Sequence, residues 1–197
     1  MDFLPGDLVH VYNRGNNKQQ VFFSDDNYLF FRDKIARHIA PVCDIVAYCL
    51  MPNHFLFLIQ VNDNSVRPRK IGSLMSNELN NGFRVLQSSY AMAINKHLNR
   101  TGSLFQQKAK FKLLNLLGKT SENYAEICFH YIHQNPMKAG LVNRMEDWIY
   151  SSFCEHAFGA DGVCRKEIAS ELFRIKQEEF YRASYQVLNV DIVSQIL

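Results

Sequence analysis

The chain has 197 residues and a net charge of only +3, from 22 basic and 19 acidic side chains. Hydrophobic residues make up 47% of it, which is enough for a packed core and excludes a disordered chain. Five cysteines without a Cys-x-x-Cys pair exclude a disulfide scaffold and a zinc finger. No apolar run approaches the ~18 residues of a membrane span, and no secretory signal is visible. We therefore expect a cytoplasmic protein.

The first half of the chain predicts a strand, a helix and a hairpin. Residues 8–13 are largely apolar on both alternating faces, as in a strand buried on two sides. Helical spacing of apolar residues predicts a helix over 24–39, which Pro41 stops. Two further strands, 44–50 and 54–61, flank a tight turn and should pair with each other.

The second half predicts a long helix, an edge-like strand and further helices. Apolar spacing indicates a helix over 71–98, with a candidate interruption at Gly82. Residues 108–113 alternate between lysine and apolar side chains, which is typical of a half-exposed strand. A helix should run from 120 to 135, where a proline follows, and one or two more helices should lie within 166–185.

The order of these elements predicts the fold class. Strand, helix, strand, strand, helix and strand in succession are typical of an α+β, ferredoxin-like fold, an antiparallel sheet with helices on one face. We expect this domain to span residues 1–159. Residues 160–197 should form a helical C-terminal extension.

Positive charge is concentrated in the middle of the chain. Between residues 64 and 121 there are ten Lys or Arg and one acidic residue, Glu78, whereas the remainder carries 12 basic and 18 acidic residues. Such clustering favours a polyanionic partner. A solvated helix face followed by a turn would give the same pattern, so charge alone leaves both interpretations open.

Two groups of polar residues stand out as candidates for chemistry. His54 begins an otherwise apolar strand, either as a core histidine bonded to a backbone carbonyl or as a functional ligand. Tyr131 and Asn135 are four residues apart on a helix and therefore project from the same face. The alternative for this pair is a packed tyrosine and an asparagine at a helix end.

Five ordered motifs between residues 8 and 159 resemble one known family. The chain is similar to the single-tyrosine HUH transposases, in the branch associated with repetitive extragenic palindromes (REP) and related to insertion-sequence transposases. The matching motifs are His10-Val-Tyr-Asn-Arg-Gly-Asn16, Tyr48-Cys-Leu-Met-Pro-Asn-His54, Asn99-Arg-Thr-Gly-Ser-Leu-Phe-Gln106, Tyr131-Ile-His-Gln-Asn-Pro-Met-Lys-Ala-Gly-Leu-Val142 and Trp148-Ile-Tyr-Ser-Ser152.

The resemblance implies a metal-dependent DNA strand transferase on a ferredoxin-like palm. His54 corresponds to the first histidine of a His-hydrophobic-His motif, Asn135 to a third ligand of Mg²⁺ or Mn²⁺, and Tyr131 to the nucleophile. A phenol has a pKa of ~10 and is a poor nucleophile near neutral pH. A cation on the phosphate would therefore assist its attack, giving a 5′-phosphotyrosine and a free 3′-hydroxyl.

The partners that the resemblance implies are single-stranded or hairpin DNA in a bacterial, nucleoid-associated location. A monomer is favoured, with a homodimer as the alternative. We expect Lys108, Lys110 and Lys112 to contact phosphates, together with Arg67, Arg69, Lys70 and Arg100. Arg14 and Asn16, in the turn after the first strand, are candidates for holding a hairpin tip or a guide segment.

One residue departs from the family's pattern. Leu56 stands where the second histidine is expected, on the same strand face as His54. Leucine has no lone pair, so metal affinity should fall unless His10 or His133 replaces the missing ligand. Two hypotheses remain open: an active transposase-like enzyme, or a catalytically impaired or domesticated DNA-binding relative.

Overall fold

The structure, a computed structural model, describes residues 3–114, 124–186 and 188. Its strands are β1 (Leu8–Arg14), β2 (Asp44–Met51), β3 (His54–Gln60), β4 (Pro68–Ile71), β5 (Leu74–Asn77) and β6 (Lys110–Leu113). Its α-helices are α1 (Asp25–His38), α2 (Asp63–Val66), α3 (Glu78–His97), α4 (Tyr124–Lys138), α5 (Phe153–Phe158), α6 (Lys166–Phe173) and α7 (Gln177–Ser184).

Four of these strands form an antiparallel sheet in the order β2-β3-β1-β6. The central strand β1 pairs with β3 on one side and with β6 on the other, and β2 and β3 form the predicted hairpin. Helices α1 and α3 pack on one face through Phe31 and Phe83, which belong to the same apolar cluster. This arrangement confirms the predicted α+β, ferredoxin-like sheet.

Further helices cover the second face of the sheet, whereas the sequence predicted helices on one face only. Side chains of β3 alternate between the two sides, so Phe57 packs towards α1 and α3, while Leu56 and Leu58 pack towards α4. Residues of the C-terminal helices, including Phe173 and Phe180, belong to this second cluster. Burial on both faces explains why β3 is almost continuously apolar.

The helix predicted over 71–98 begins later than expected. Residues 68–77 form a hairpin of β4 and β5, and α3 starts at Glu78, where the Asn77 side chain accepts a hydrogen bond from the Asn80 backbone N–H at 2.8 Å. The apolar residues 74 and 75, which fit the helical spacing, lie on this exposed hairpin instead. The helix continues through Gly82 without interruption, because the missing side chain lets α3 approach α1.

The helix that carries Tyr131 extends beyond its predicted end at Asn135. It continues to Lys138 with Pro136 in its last turns, where a proline removes only one backbone donor. The Ala139 N–H still donates to the Asn135 carbonyl at 2.9 Å. Its predicted start at 120 lies outside the described residues. Across the part of the chain that the structure describes, no helix has the length and apolar character to cross a bilayer.

Candidate active site

His54, Tyr131 and Asn135 come together where α4 lies over the start of β3. Tyr131 and Asn135 are one helical turn apart on α4, which packs against β2 and β3. The Asn135 side chain hydrogen-bonds with both the His54 ring and the Tyr131 hydroxyl. The structure thus places the three residues in one site, although their chemical roles stay predictions.

Burial sets the protonation states in this site. Desolvation, together with the positive charge of Arg14, lowers the pKa of His54 to about 4, so the imidazole is neutral at pH 7. Burial raises the pKa of the Tyr131 phenol, which therefore keeps its proton at that pH. The Asn53 Oδ1 atom lies 2.7 Å from His54 Nδ1 and accepts a hydrogen bond from the Nδ1–H group, which leaves Nε2 as the lone-pair nitrogen.

Leu56 makes the centre of the site apolar. Its side chain is 2% exposed and belongs to the same apolar cluster as Tyr131. Only His54 and Asn135 of the predicted ligand set are present, and no group of three His, Cys, Asp or Glu side chains that could hold a metal occurs among the described residues. These residues do not fit a divalent cation held by the protein, so Mg²⁺ or Mn²⁺ binding stays a prediction that this donor set weakens.

The two alternative histidines, His10 and His133, lie on β1 and α4. The His133 Nε2 atom lies 2.8 Å from the Ser152 hydroxyl, which accepts a hydrogen bond from the Tyr48 N–H of β2 at 3.0 Å. His10 pairs with Leu58 on β3 and is two residues along β1 from Tyr12, the residue opposite position 56. Two residues of strand correspond to about 7 Å. Replacement of the second ligand by His10 or His133 stays an untested alternative.

Positively charged side chains surround the entrance to the site. Arg14 is exposed and lies opposite His54 in the pairing of β1 with β3. Lys138 Nζ lies 5.9 Å from the centre of the Tyr131 ring, and Lys110 Nζ lies 5.6 Å from that of Tyr12. We refer to Arg14, Lys110 and Lys138 as the cationic rim.

Lys138 and Tyr12 did not emerge from the sequence. Lys138 follows Tyr131 by seven residues, which is two helical turns, so the spacing that linked Tyr131 with Asn135 could have identified it. Because the helix was predicted to end before Pro136, Lys138 was not assigned to it. Tyr12 pairs with both Leu56 and Lys110, and only the strand order could have shown this.

The other predicted DNA-binding residues fall into separate groups. Lys112 lies opposite His10, on the same sheet face as Lys110, and Lys108 is exposed just before β6. Asn16 is exposed in the turn after β1, and near this turn Arg100 donates a hydrogen bond to Gln19 at 2.9 Å.

The basic residues of the β4–β5 hairpin are remote from Tyr131. Arg69 and Lys70 are exposed on this hairpin, and Arg67 is exposed just before it. The hairpin packs against α3 on the first face of the sheet. Arg69 is partly neutralised by an ion pair with Glu78 at 3.3 Å. The predicted phosphate contacts therefore lie on both sides of the sheet.

Comparison with known proteins supports the fold. No family model matches the sequence, and no curated protein matches it. The chain is similar to the solved structure of a REP-associated tyrosine transposase bound to a REP hairpin, with a TM-score of 0.57 and 18% identity over 83% of this chain and 86% of that chain. This likeness shows a transposase-like fold.

Proposed function

We propose that this protein binds single-stranded or hairpin DNA at the site of Tyr131, with little or no catalytic activity. The cationic rim carries this proposal. Its three exposed cations lie on β1, β6 and α4 around the site of Tyr131, where they can contact successive phosphates of a DNA strand. The solved structure of similar fold is that of a transposase bound to a REP hairpin, which supports the same class of ligand.

The rim should give an affinity that depends strongly on salt. Each phosphate contact releases counterions, so log K decreases with log[salt]. Removal of one cation should make this negative slope shallower by about one. We expect Arg14→Gln and Lys138→Gln each to weaken binding of a labelled hairpin several-fold, as measured by fluorescence anisotropy at several salt concentrations. Lys96→Gln, an exposed lysine at the end of α3, serves as the matched control. Equal affinity of all four proteins would contradict the proposal.

Strand cleavage through Tyr131 is the second candidate function. The interaction of Asn135 with both Tyr131 and His54 favours it. In this reaction the Tyr131 oxygen forms a bond to phosphorus and the bond to the 3′-oxygen breaks. The phenolic proton ends on the released 3′-hydroxyl, and the DNA keeps a 5′-phosphotyrosine link. The raised pKa of Tyr131 and the apolar Leu56 both oppose this step, which is why binding is the preferred function.

A cleavage assay separates the two candidates. A labelled hairpin oligonucleotide is incubated with Mg²⁺ or Mn²⁺ and the parent protein, Leu56→His or Tyr131→Phe, and covalent adducts are resolved on a denaturing gel. We expect no adduct with the parent. An adduct with the parent that Tyr131→Phe abolishes would establish the enzyme and overturn the proposed loss of catalysis.

The proposed ligand has consequences for location and assembly. A DNA partner implies a cytoplasmic, nucleoid-associated protein in a bacterial cell. We propose a monomer, with a homodimer as the alternative.

A further inference from the structure

A groove on the face of the sheet opposite Tyr131 plays no part in the site described above. It lies between the β4–β5 hairpin, α3 and the segment 102–111, and its volume is about 620 Å³. Phe83 and Phe111 form part of its lining, with their rings edge to face at 5.5 Å. Because Phe83 lies on α3 and Phe111 on β6, the groove is built on regular elements that hold its shape.

Two large apolar side chains stand exposed at one side of this groove. Leu74 and Met75, on β5, are 72% and 69% exposed. Single exposed apolar residues are common, but a neighbouring pair at the edge of a partly apolar cavity is typical of a binding surface. Both residues line the groove and are accessible to a ligand that enters it.

Side-chain amides supply the polar part of the lining. Asn80, Gln87, Gln106 and Gln107 line the groove, and each amide carries both hydrogen-bond donors and an acceptor. Gln87 Nε2 donates to the Phe83 carbonyl at 2.9 Å and Gln87 Oε1 accepts from the Asn13 side chain, so this amide is held in place and ligand contacts fall to the other three amides. Apolar faces combined with amide edges suit a nucleobase, which stacks through its face and hydrogen-bonds through its edge.

The charge of the groove selects an anionic ligand. Arg84 and Lys108 line it, and no Asp or Glu is among the described residues that do so. Arg67 and Lys70 add positive charge on the adjoining hairpin. A ligand with an apolar flat face, hydrogen-bonding edges and negative charge is a nucleotide.

We propose that this groove binds unpaired nucleotides of the same DNA whose phosphates contact the cationic rim. The inference rests on the proposed function and adds a second contact site to it. The edge strand β6 connects the two sites, because Lys110 lies over Tyr12 on one face while the next residue, Phe111, lines the groove on the other. A single strand that passes around this edge reaches both.

The test compares three labelled ligands by fluorescence anisotropy. They are a blunt hairpin, the same hairpin with a short unpaired extension of randomised sequence, and that extension with abasic sites in place of its bases. We expect the parent to bind the base-bearing extension about tenfold more tightly than the other two ligands. The double variant Leu74→Ala/Met75→Ala should lose this preference. Both residues are exposed, so the fold should not change.

A matched control lies on α3. Met92 is 72% exposed but does not line the groove, so Met92→Ala should keep the full preference. If the three ligands bind equally well, or if the double variant keeps the preference, the groove is not a nucleotide site, although the proposed function stands. If none of the ligands binds the parent, the proposed function fails and this inference fails with it.

Discussion

Leu56 decides what the side chains around it can do. It is buried and lies on the strand face of His54, in the same apolar cluster as Tyr131. The neutral imidazole and Asn135 are suitable metal ligands, but two donors from the protein leave most of the coordination sphere to water or phosphate. A single substitution therefore separates this site from a three-donor site.

We expect Leu56→His to create a cation site. Residues 54 and 56 share a strand face, so the new imidazole would join His54 and Asn135 on the side that α4 covers. Isothermal titration calorimetry should detect Mn²⁺ binding by this variant and none by the parent. The combined variant His54→Ala/Leu56→His is the control and should lose the gain. Equal Mn²⁺ affinity of parent and Leu56→His would contradict the argument.

Some of the site could be predicted at the scale of residues, and some could not. The pairing of Tyr131 with Asn135 follows from helical spacing, and the proximity of His54 came from the resemblance. Lys138 was not predicted because Pro136 was expected to end the helix. Near the C-terminus of a helix, however, a proline removes only one backbone hydrogen bond. Arg14 was predicted to bind DNA, but its position opposite His54 depends on strand register.

At the scale of elements, α3 shows how packing overrides local preference. Its Gly82 suggested an interruption, yet the helix continues because a Cβ there would lie 2.6 Å from the His38 carbonyl oxygen and 3.0 Å from Val42. In an isolated helix alanine is favoured over glycine by about 1 kcal/mol. Here the close approach to α1 outweighs that preference.

We therefore expect Gly82→Ala to destabilise the protein. The clash is with the backbone of α1, so the two helices must separate, and overpacking of this kind costs about 1–3 kcal/mol. Urea unfolding should show a lower free energy of unfolding than in the parent. Ser88→Ala, at an exposed position of the same helix, should be neutral or slightly stabilising. A Gly82→Ala protein more stable than the parent would show that α1 and α3 are not in contact at this point.

The β4–β5 hairpin shows where hydrophobic periodicity fails to predict secondary structure. Leu74 and Met75 fit a helical pattern, but their side chains are exposed, so no core selected that spacing. The strands of the central sheet were predictable because burial on both faces gives a short continuous apolar run, as in β3, and burial on one face gives an alternation, as in β6.

At the scale of the whole molecule, buried histidines connect the C-terminal helices to the rest of the protein. His130 Nδ1 lies 3.0 Å from the Ser184 hydroxyl, and His156 Nε2 lies 2.9 Å from the Val46 carbonyl. Burial lowers the pKa of each to about 4, and Lys166 contributes to the shift at His156. Both are therefore neutral in the folded protein at pH 7.

This predicts a loss of stability in acid. An unfolded histidine has a pKa near 6.5, whereas the folded value is about 4, so the unfolded state binds more protons between these limits. The stabilisation is complete above pH 6.5 and is lost as the pH falls towards 4, by up to about 1.4 kcal/mol per histidine for each pH unit. Urea unfolding at several pH values between 7.5 and 5 measures this slope.

Two non-titrating substitutions isolate the contribution of these histidines. His130→Asn and His156→Gln keep a polar side chain near each hydrogen-bonding nitrogen. The double variant should therefore have a shallower slope than the parent between pH 6.5 and 5, and buried His54 and His133 account for the slope that remains. His97→Gln, at an exposed position on α3, is the matched control and should follow the parent. A double variant with the parent's slope would refute the assignment.

The helix that carries Tyr131 is secured along two opposite sides. One side faces the sheet, and on the other Gln134 Nε2 donates to the carbonyls of Ser184 and Gln186, both at 2.8 Å. A chain cut after Gly159 would strip these acceptors away and leave Phe129 without Phe180 against it. The C-terminal helices therefore hold α4 in place, and any shortened or fused form of this protein that is intended to bind nucleic acid must retain them.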